Sequence, residues 1–438
     1  MKNESFNTIR LAVPIIIGEL AQMMLHIIDS AMVGAISYKH LAATSLVIST
    51  LNIPLVLGIG MTISVAQMVS MAHGQNDSAK VSHYFYNGFW LCAVTAIIIS
   101  LSLVFGRNIL YHLGQDRDVV ELSLPFMTLM GLSMIPMLLF MTLKQFADGL
   151  QYTRTAMLLS LCALPVNIFL NWLLIYGNLG FPRLELVGAG WATLITRTLI
   201  FIVLGIIILR HKTFSEFMSL RYTEWKYNAS TMRSLLKIGV PSSLQVAMEA
   251  GAFAITGILI GTMGAVSQAA HQIALGCAAL TFMVSMGLSQ AGSIRTSNAF
   301  GAGDWPKISL IGKSTLLTGV IYGVICAVMF IVFRNVLPTL FNENAEVIAL
   351  ASVLLLLAGI FQISDATQVI GAGLLRGIKD VKIPTYLVAV AYWVIGLPSG
   401  CLFAFVFDMG APGMWLGFIV GLTLAGVFLS VRFLKKVK

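Results

Sequence analysis

The chain has 438 residues, 58% of them hydrophobic and only 10% charged, with a mean hydropathy of +0.90. A soluble domain carries roughly 25% charged residues, so this composition leaves almost no room for one and describes a polytopic membrane protein. The net charge of +9 follows topology, because its basic residues collect on one side of the apolar runs; nucleic-acid binding is not expected.

Apolar runs of about 20 residues begin near residues 10, 46, 85, 119, 155, 187, 237, 271, 313, 345, 384 and 412, which predicts an all-α integral membrane fold of twelve transmembrane helices. Met1 to Arg10 is polar and the first apolar run outlasts a signal peptide, so no cleavable signal is expected. With the N-terminus inside, the inside loops and helix ends hold 21 of the 27 Lys and Arg, including Arg210, Lys212, Arg221, Lys226, Arg233, Lys237, Arg432, Lys435, Lys436 and Lys438. The outside loops hold five, Lys39, Arg107, Arg117, Arg183 and Arg334, and Arg197 falls within a span. The positive-inside rule then puts both termini in the cytoplasm.

Four carboxylates interrupt the apolar runs: Glu19, Asp29, Glu249 and Asp365. Each ionised acid at bilayer depth costs roughly 2.5–3.5 kcal/mol, so four chance placements are a poor explanation. Such acids bind a travelling cation, relay protons, pair with a buried base, or hydrogen-bond between helices when protonated. In span 1, Glu19, Gln22, His26 and Asp29 follow i, i+3, i+7, i+10 spacing and share one helix face. Gly58-Ile59-Gly60 lies inside span 2 with no strand before it, so it is not a phosphate loop. Asn167 and Asn171 in span 5 and Thr193 in span 6 could join Asp29 in an oxygen-rich pocket, or simply fasten helices together.

The longest polar segment, 210–236, separates an N-terminal six-helix lobe (1–209) from a C-terminal one (237–438). Span 7 opens on Pro241, with Gln245 and Glu249 at i, i+4. Arg295 stands near apolar sequence, and snorkelling to the interface is expected of it. Span 10 carries Gln362, Asp365 and Gln368 at i, i+3, i+6. Glu249 and Asp365 with amide oxygens could ligate a dehydrated cation, or hold a proton; the two readings share one site. The five dispersed cysteines have no ligand spacing and read as apolar filler. The 22 Met and 25 Phe suit a promiscuous cavity wall, though lipid-facing filler accounts for most. No HExxH, GxSxG or P-loop motif occurs, so neither an enzyme nor ATP-driven transport is expected.

The halves match at an offset of 227: Pro14 on Pro241, Gly34 on Gly261, Ala42–Ala43 on Ala269–Ala270, Gly60 on Gly287, Gly74 on Gly301 and Asp77 on Asp304. Six spans return the chain to the same side, so the repeat is parallel, with its axis along the membrane normal. Proteins so built rock two bundles around a central cavity. Asp29 aligns with Thr256 and Glu249 with Gln22, so a shared scaffold carries different chemistry in each half.

The stretches Asp29-Ser-Ala-Met-Val-Gly34, Leu41-Ala-Ala43 and MGLSQAGSIRTSNAFGAGD (286–304) resemble the multidrug and toxic compound extrusion (MATE) family. Glu249 in PSSLQVAMEAGAF and Asp365 in FQISDATQVIGAGLLRGIKD resemble its NorM branch. The resemblance covers essentially all twelve spans. It implies a V-shaped pair of six-helix lobes in a bacterial inner membrane, and an antiporter exporting small organic cations against inward Na+ or H+, with no other cofactor. It further implies that Glu249 and Asp365 are the cation-binding carboxylates, with Na+ as a ligated metal ion. Asp29 would be the first-lobe aspartate with Asn167, Asn171 and Thr193 as neighbours, and Phe361 an aromatic lining residue. Asn171 stands where some members carry an aspartate, which would weaken a cation site in the first lobe here. Glu19 has no counterpart to carry over. A monomer is expected, since one chain holds both halves of a cavity; the alternative function is a flippase of lipid-linked precursors.

Overall fold

The computed structural model describes residues 1–218 and 225–437. Arg221 and Lys438, counted among the inside charges, lie outside the described residues. Twelve helices among those described are long and apolar enough to cross a membrane. They are α1 (Lys2–Gly34), α2 (Tyr38–Gly74), α3 (Ser78–Phe105), α4 (Arg117–Gly149), α5 (Thr153–Leu174), α6 (Glu185–Arg210), α7 (Ala229–Gly261), α8 (Ala265–Gly301), α9 (Trp305–Phe333), α10 (Ala345–Gly377), α11 (Lys382–Val406) and α12 (Gly410–Lys436).

The sequence repeat is present in the elements themselves. α7, α8 and α9 start at 229, 265 and 305, each 227 residues after α1, α2 and α3 start at 2, 38 and 78. The equivalence extends to single hydrogen bonds. Asp77 caps α3 by accepting from the Lys80 amide at 3.0 Å, and Asp304 caps α9 by accepting from the Lys307 amide at 3.0 Å. Several helices extend past the apolar runs into polar sequence, beginning six to eight residues before the expected span starts.

The chain divides into two compact units: unit A, Ile17–Ser243, and unit B, Met1–Ile16 with Leu244–Lys438. These bounds fall inside α1 and α7, not at the 210–236 segment where the sequence reading divided 1–209 from 237–438. The physical cause is a pair of repeat-related close approaches. In unit A a Cβ on Gly60 would lie 2.3 Å from Ser243 Cα; in unit B one on Gly287 would lie 2.4 Å from Ile16 Cγ1. The start of each lobe's first helix is therefore packed on the second helix of the other repeat. It also explains Gly60: the glycine of span 2 admits a helix, not a phosphate.

The described residues just before α7 are docked. α7 already begins at Ala229, and the preceding residues dock on α3: the Trp225 ring stacks on Tyr86 at 4.6 Å, and the Asn228 amide donates to Asn87 Oδ1 at 3.0 Å. In unit B, α11 is interrupted by two π-helical stretches, Val390–Gly396 and Leu402–Val406. Gly396 and Gly400 there meet Gly417 of α12 closely enough that a Cβ on Gly417 would lie 2.4 Å from Gly400 Cα. Small residues four apart on facing helices permit this backbone approach.

Candidate functional site

In unit A, Asp29 lies on the polar face of α1 and is held by its expected neighbours. Asn171 Nδ2 donates to Asp29 Oδ1 at 2.5 Å, and Thr193 Oγ1 donates to Oδ2 at 3.3 Å. Asn171 Nδ2 also donates to Asn167 Oδ1 at 3.0 Å, so the i, i+4 pair on α5 forms one strip behind the acid. Arg197, 6% exposed, is the charge that acts on Asp29, and it donates to Ser133 Oγ at 2.7 Å. With Arg197 ionised beside it, the pair is neutral.

Beside them is a cavity of about 40 Å³ lined in part by Gln22, His26, Ser160, Thr193, Thr196 and Arg197. At roughly 10–15 Å³ per water centre it admits a few waters. Drug-sized sites need roughly 300–1,000 Å³, so this cavity is too small for one, and Leu25, Met137, Phe140, Ala163 and Ile200 make most of its wall apolar.

Glu19, to which the sequence assigns no role, is paired. Lys144 Nζ donates to Glu19 Oε1 at 2.5 Å. Lys144 stands near the C-terminal end of its span in sequence, but its side chain is 3% exposed and it belongs to the interior. Asp148, one turn further along α4, is fully buried and acts electrostatically on both. The signal in sequence is the i, i+4 spacing of Lys144 and Asp148 within apolar surroundings, obscured by their nearness to the span's end.

In unit B, Asp365 on α10 is 1% exposed, and its Oδ2 has no hydrogen-bond partner among the described residues. Glu249 on α7 is within electrostatic reach of Asp365, so the two sequence-predicted acids are brought together. Glu249 also faces Arg376 and the Tyr392 hydroxyl, the latter outside strict hydrogen-bond geometry. Gln362 Nε2 donates weakly to the Ala278 carbonyl at 3.4 Å, while Gln362 Oε1 and both terminal atoms of Gln368 have no described partner. Gln245 is buried on α7, one turn before Glu249. Buried polar groups are normally satisfied, and each one left alone costs about 1–3 kcal/mol. Gln362 and Gln368 stand three residues either side of Asp365 on α10, so these unpartnered groups lie within a turn of the acid. Two acids against one arginine leave the ionised group at −1.

Phe361 does not line open space: it is 3% exposed, with ring centroids 5.6 Å from Trp415 and 6.0 Å from Phe253. Arg295 does not snorkel. It is buried in unit B, donating to the Glu4 carbonyl at 2.8 Å and Thr8 Oγ1 at 2.6 Å, and pairing with the Glu4 carboxylate. Five methionines of α4 (Met127, Met130, Met134, Met137 and Met141) pack into the core of unit A. Arg376 and Tyr392 escape the sequence reading because an arginine near a helix end and a tyrosine in a span carry no spacing signature.

A family model described as MatE matches residues 14–173 and again 241–402, the two matches starting at the repeat offset. The chain is 32% identical over 436 residues to "Multidrug resistance protein NorM" of Photobacterium profundum, covering 98% of this chain and 95% of that one. It is 31% identical over 443 residues to "Multidrug resistance protein MdtK" of Yersinia pseudotuberculosis serotype O:1b, covering 99% and 96%. Among solved structures, it shares its fold with the eukaryotic MATE transporter AtDTX14 (TM-score 0.88, 21% identity, 100% and 99% covered). A multidrug resistance MATE family transporter solved in an outward-facing conformation gives a TM-score of 0.90 at 18% identity, with 99% and 96% covered. The chain belongs to the MatE family, the multidrug and toxic compound extrusion transporters.

Proposed function

We propose that the chain is a secondary antiporter that exports small organic cations across a bacterial inner membrane, with both termini cytoplasmic. Na+ or H+ enters on Glu249 and Asp365 and drives export by alternating access. The observation that carries this reading is the pairing of those acids amid unpartnered amide oxygens in unit B. A cation or proton arriving there satisfies Asp365 and cancels the excess negative charge. An anionic, lipid-linked cargo is not favoured, since two acids dominate this site and both curated relatives are named multidrug resistance proteins.

Charge counting sets the energetics. One coupling ion exchanged for one monovalent drug cation is electroneutral and draws only on the ion's own gradient. Two ions per drug move one net charge, worth about 2.3 kcal/mol per 100 mV, or roughly a 50-fold drug gradient. The test is ethidium movement in proteoliposomes under a Na+ gradient at constant pH, then under a pH gradient without Na+. Exchange under either supports antiport and identifies the ion; exchange under neither overturns it.

A further inference from the structure

In unit B, α11 departs from α-helical winding beside the two acids. Over Val390–Gly396 it is π-helical, and the Leu397 amide donates to the Tyr392 carbonyl, five residues back. Single π-turns inside α-helices are uncommon and concentrate at functional sites. This one is seated on α12, where Gly413, Gly417 and Gly421 all face α11 at i, i+4, i+8 spacing. A Cβ on Gly417 would lie 2.5 Å from the Gly396 carbonyl oxygen, and one on Gly421 2.5 Å from the Ala391 carbonyl oxygen. The π-turn backbone therefore occupies space that a side chain on either glycine would fill.

The same turn meets α7 around Glu249. Trp393 Nε1 donates to the Met248 carbonyl at 3.1 Å, and its ring covers Gly251, whose Cβ would lie 3.2 Å away. Tyr392, 1% exposed, has its ring centroid 6.2 Å from Phe253 and 6.5 Å from Phe418. Its hydroxyl faces Glu249 and is within electrostatic reach of Asp365, with no partner in strict hydrogen-bond geometry among the described residues. A phenol can donate to one carboxylate and still offer an oxygen lone pair to a cation or a protonated acid. The other ionisable groups that act on these acids are Arg376 of α10 and Tyr322 of α9.

We propose that Tyr392 is a direct ligand of the coupling ion held by Glu249 and Asp365, aimed there by the π-turn seated on Gly417 and Gly421. This role rests on the efflux reading of the two acids and adds a third oxygen and the element that places it. With Na+ bound, the phenol lone pair faces the ion. With H+ bound, the new O–H bond forms on a carboxylate, and the phenol keeps its own proton while accepting from that group.

The test is equilibrium binding of radioactive sodium to the full-length protein in lipid, with proton release followed on the same samples. Wild type is compared with Asp365→Asn, Tyr392→Phe and Gly417→Ala. Tyr392→Phe keeps the ring against Phe253 and Phe418 and removes only the hydroxyl, so it should weaken ion binding roughly 10-fold. Gly417→Ala touches neither acid, yet should weaken binding as well by displacing the turn. If Gly417→Ala does not fold, Trp393→Phe takes its place; it frees the Met248 carbonyl and should weaken binding about 3-fold. Wild-type ion affinity in Tyr392→Phe, beside loss in Asp365→Asn, would overturn the proposal and leave the antiport reading intact. Wild-type affinity in the Gly417 or Trp393 variant would overturn the role of the turn. A wild-type protein that binds neither ion would overturn both the proposal and the antiport reading.

Discussion

Asp29 on α1 and Asp365 on α10 sit in non-equivalent helices of opposite units, and their surroundings differ in kind. Both oxygens of Asp29 accept hydrogen bonds, from Asn171 and Thr193, and Arg197 balances its charge, although Asn171 Oδ1 and Asn167 Nδ2 beside it have no partner among the described residues. Asp365 has an oxygen without a described partner, a second acid nearby, and amide oxygens left over around it. A parallel repeat gave both units the same helices and caps, but not the same electrostatics. An acid whose bonds are complete is held by the protein; one whose bonds are incomplete is completed by what the protein carries. The difference is the basis for proposing ion loading in unit B and a supporting role for Asp29.

The largest expected effect is in unit B. Glu249→Gln and Asp365→Asn should each lower gradient-driven ethidium export by roughly 100-fold or more, a loss of about 2.8 kcal/mol, with membrane insertion unchanged. Wild-type export by both variants would remove the basis of the comparison. Next, Arg197→Gln should make unit A resemble unit B by stranding Asp29. Removing one partner of a buried pair costs roughly 3–5 kcal/mol, so a large fall in melting temperature is expected, partly reversed by high Na+ or low pH. A variant as stable as wild type would show that Arg197 does not balance Asp29.

Asp29→Asn should be milder, within roughly 10-fold of wild-type export, or about 1.4 kcal/mol, because Asn still accepts from Thr193. The smallest effect is expected of Asp380, the fully compensated extreme. Arg432 Nε and Lys436 Nζ donate to its carboxylate at 2.7 and 2.9 Å. Burial pushes its pKa up, but these partners outweigh that and hold it below the usual carboxylate range. Its contribution is therefore complete above the unfolded-state pKa of about 3.9 and is lost as pH falls through the lower folded value. Asp380→Asn should cost roughly 1 kcal/mol at neutral pH, with the gap closing only in acid. A constant gap down to the lowest pH would contradict that pairing.

Much of this was legible in the sequence because bilayer physics restricts the possibilities. Twelve apolar runs, a fixed repeat offset and four acids in apolar surroundings each have few explanations. Glu19–Asp29 spacing put the polar face of α1 on the correct side, and Asn167, Asn171 and Thr193 do gather near Asp29. What stayed hidden depends on long-range contact. Nothing local pairs Lys144 with Glu19, 125 residues away, or Arg295 with Glu4, 291 away. The unit boundaries inside α1 and α7 were equally invisible, since they arise from glycine approaches at Gly60 and Gly287. A polar loop remained the more obvious division.

The most direct measurement is equilibrium binding of radioactive sodium to purified wild type, Asp365→Asn and Asp29→Asn at fixed pH, with proton release followed on the same samples. The account predicts that Asp365→Asn loses bound Na+, or the exchangeable proton if the coupling ion is H+, while Asp29→Asn keeps it. Loss in Asp29→Asn with full retention in Asp365→Asn would contradict the account and move ion loading to unit A.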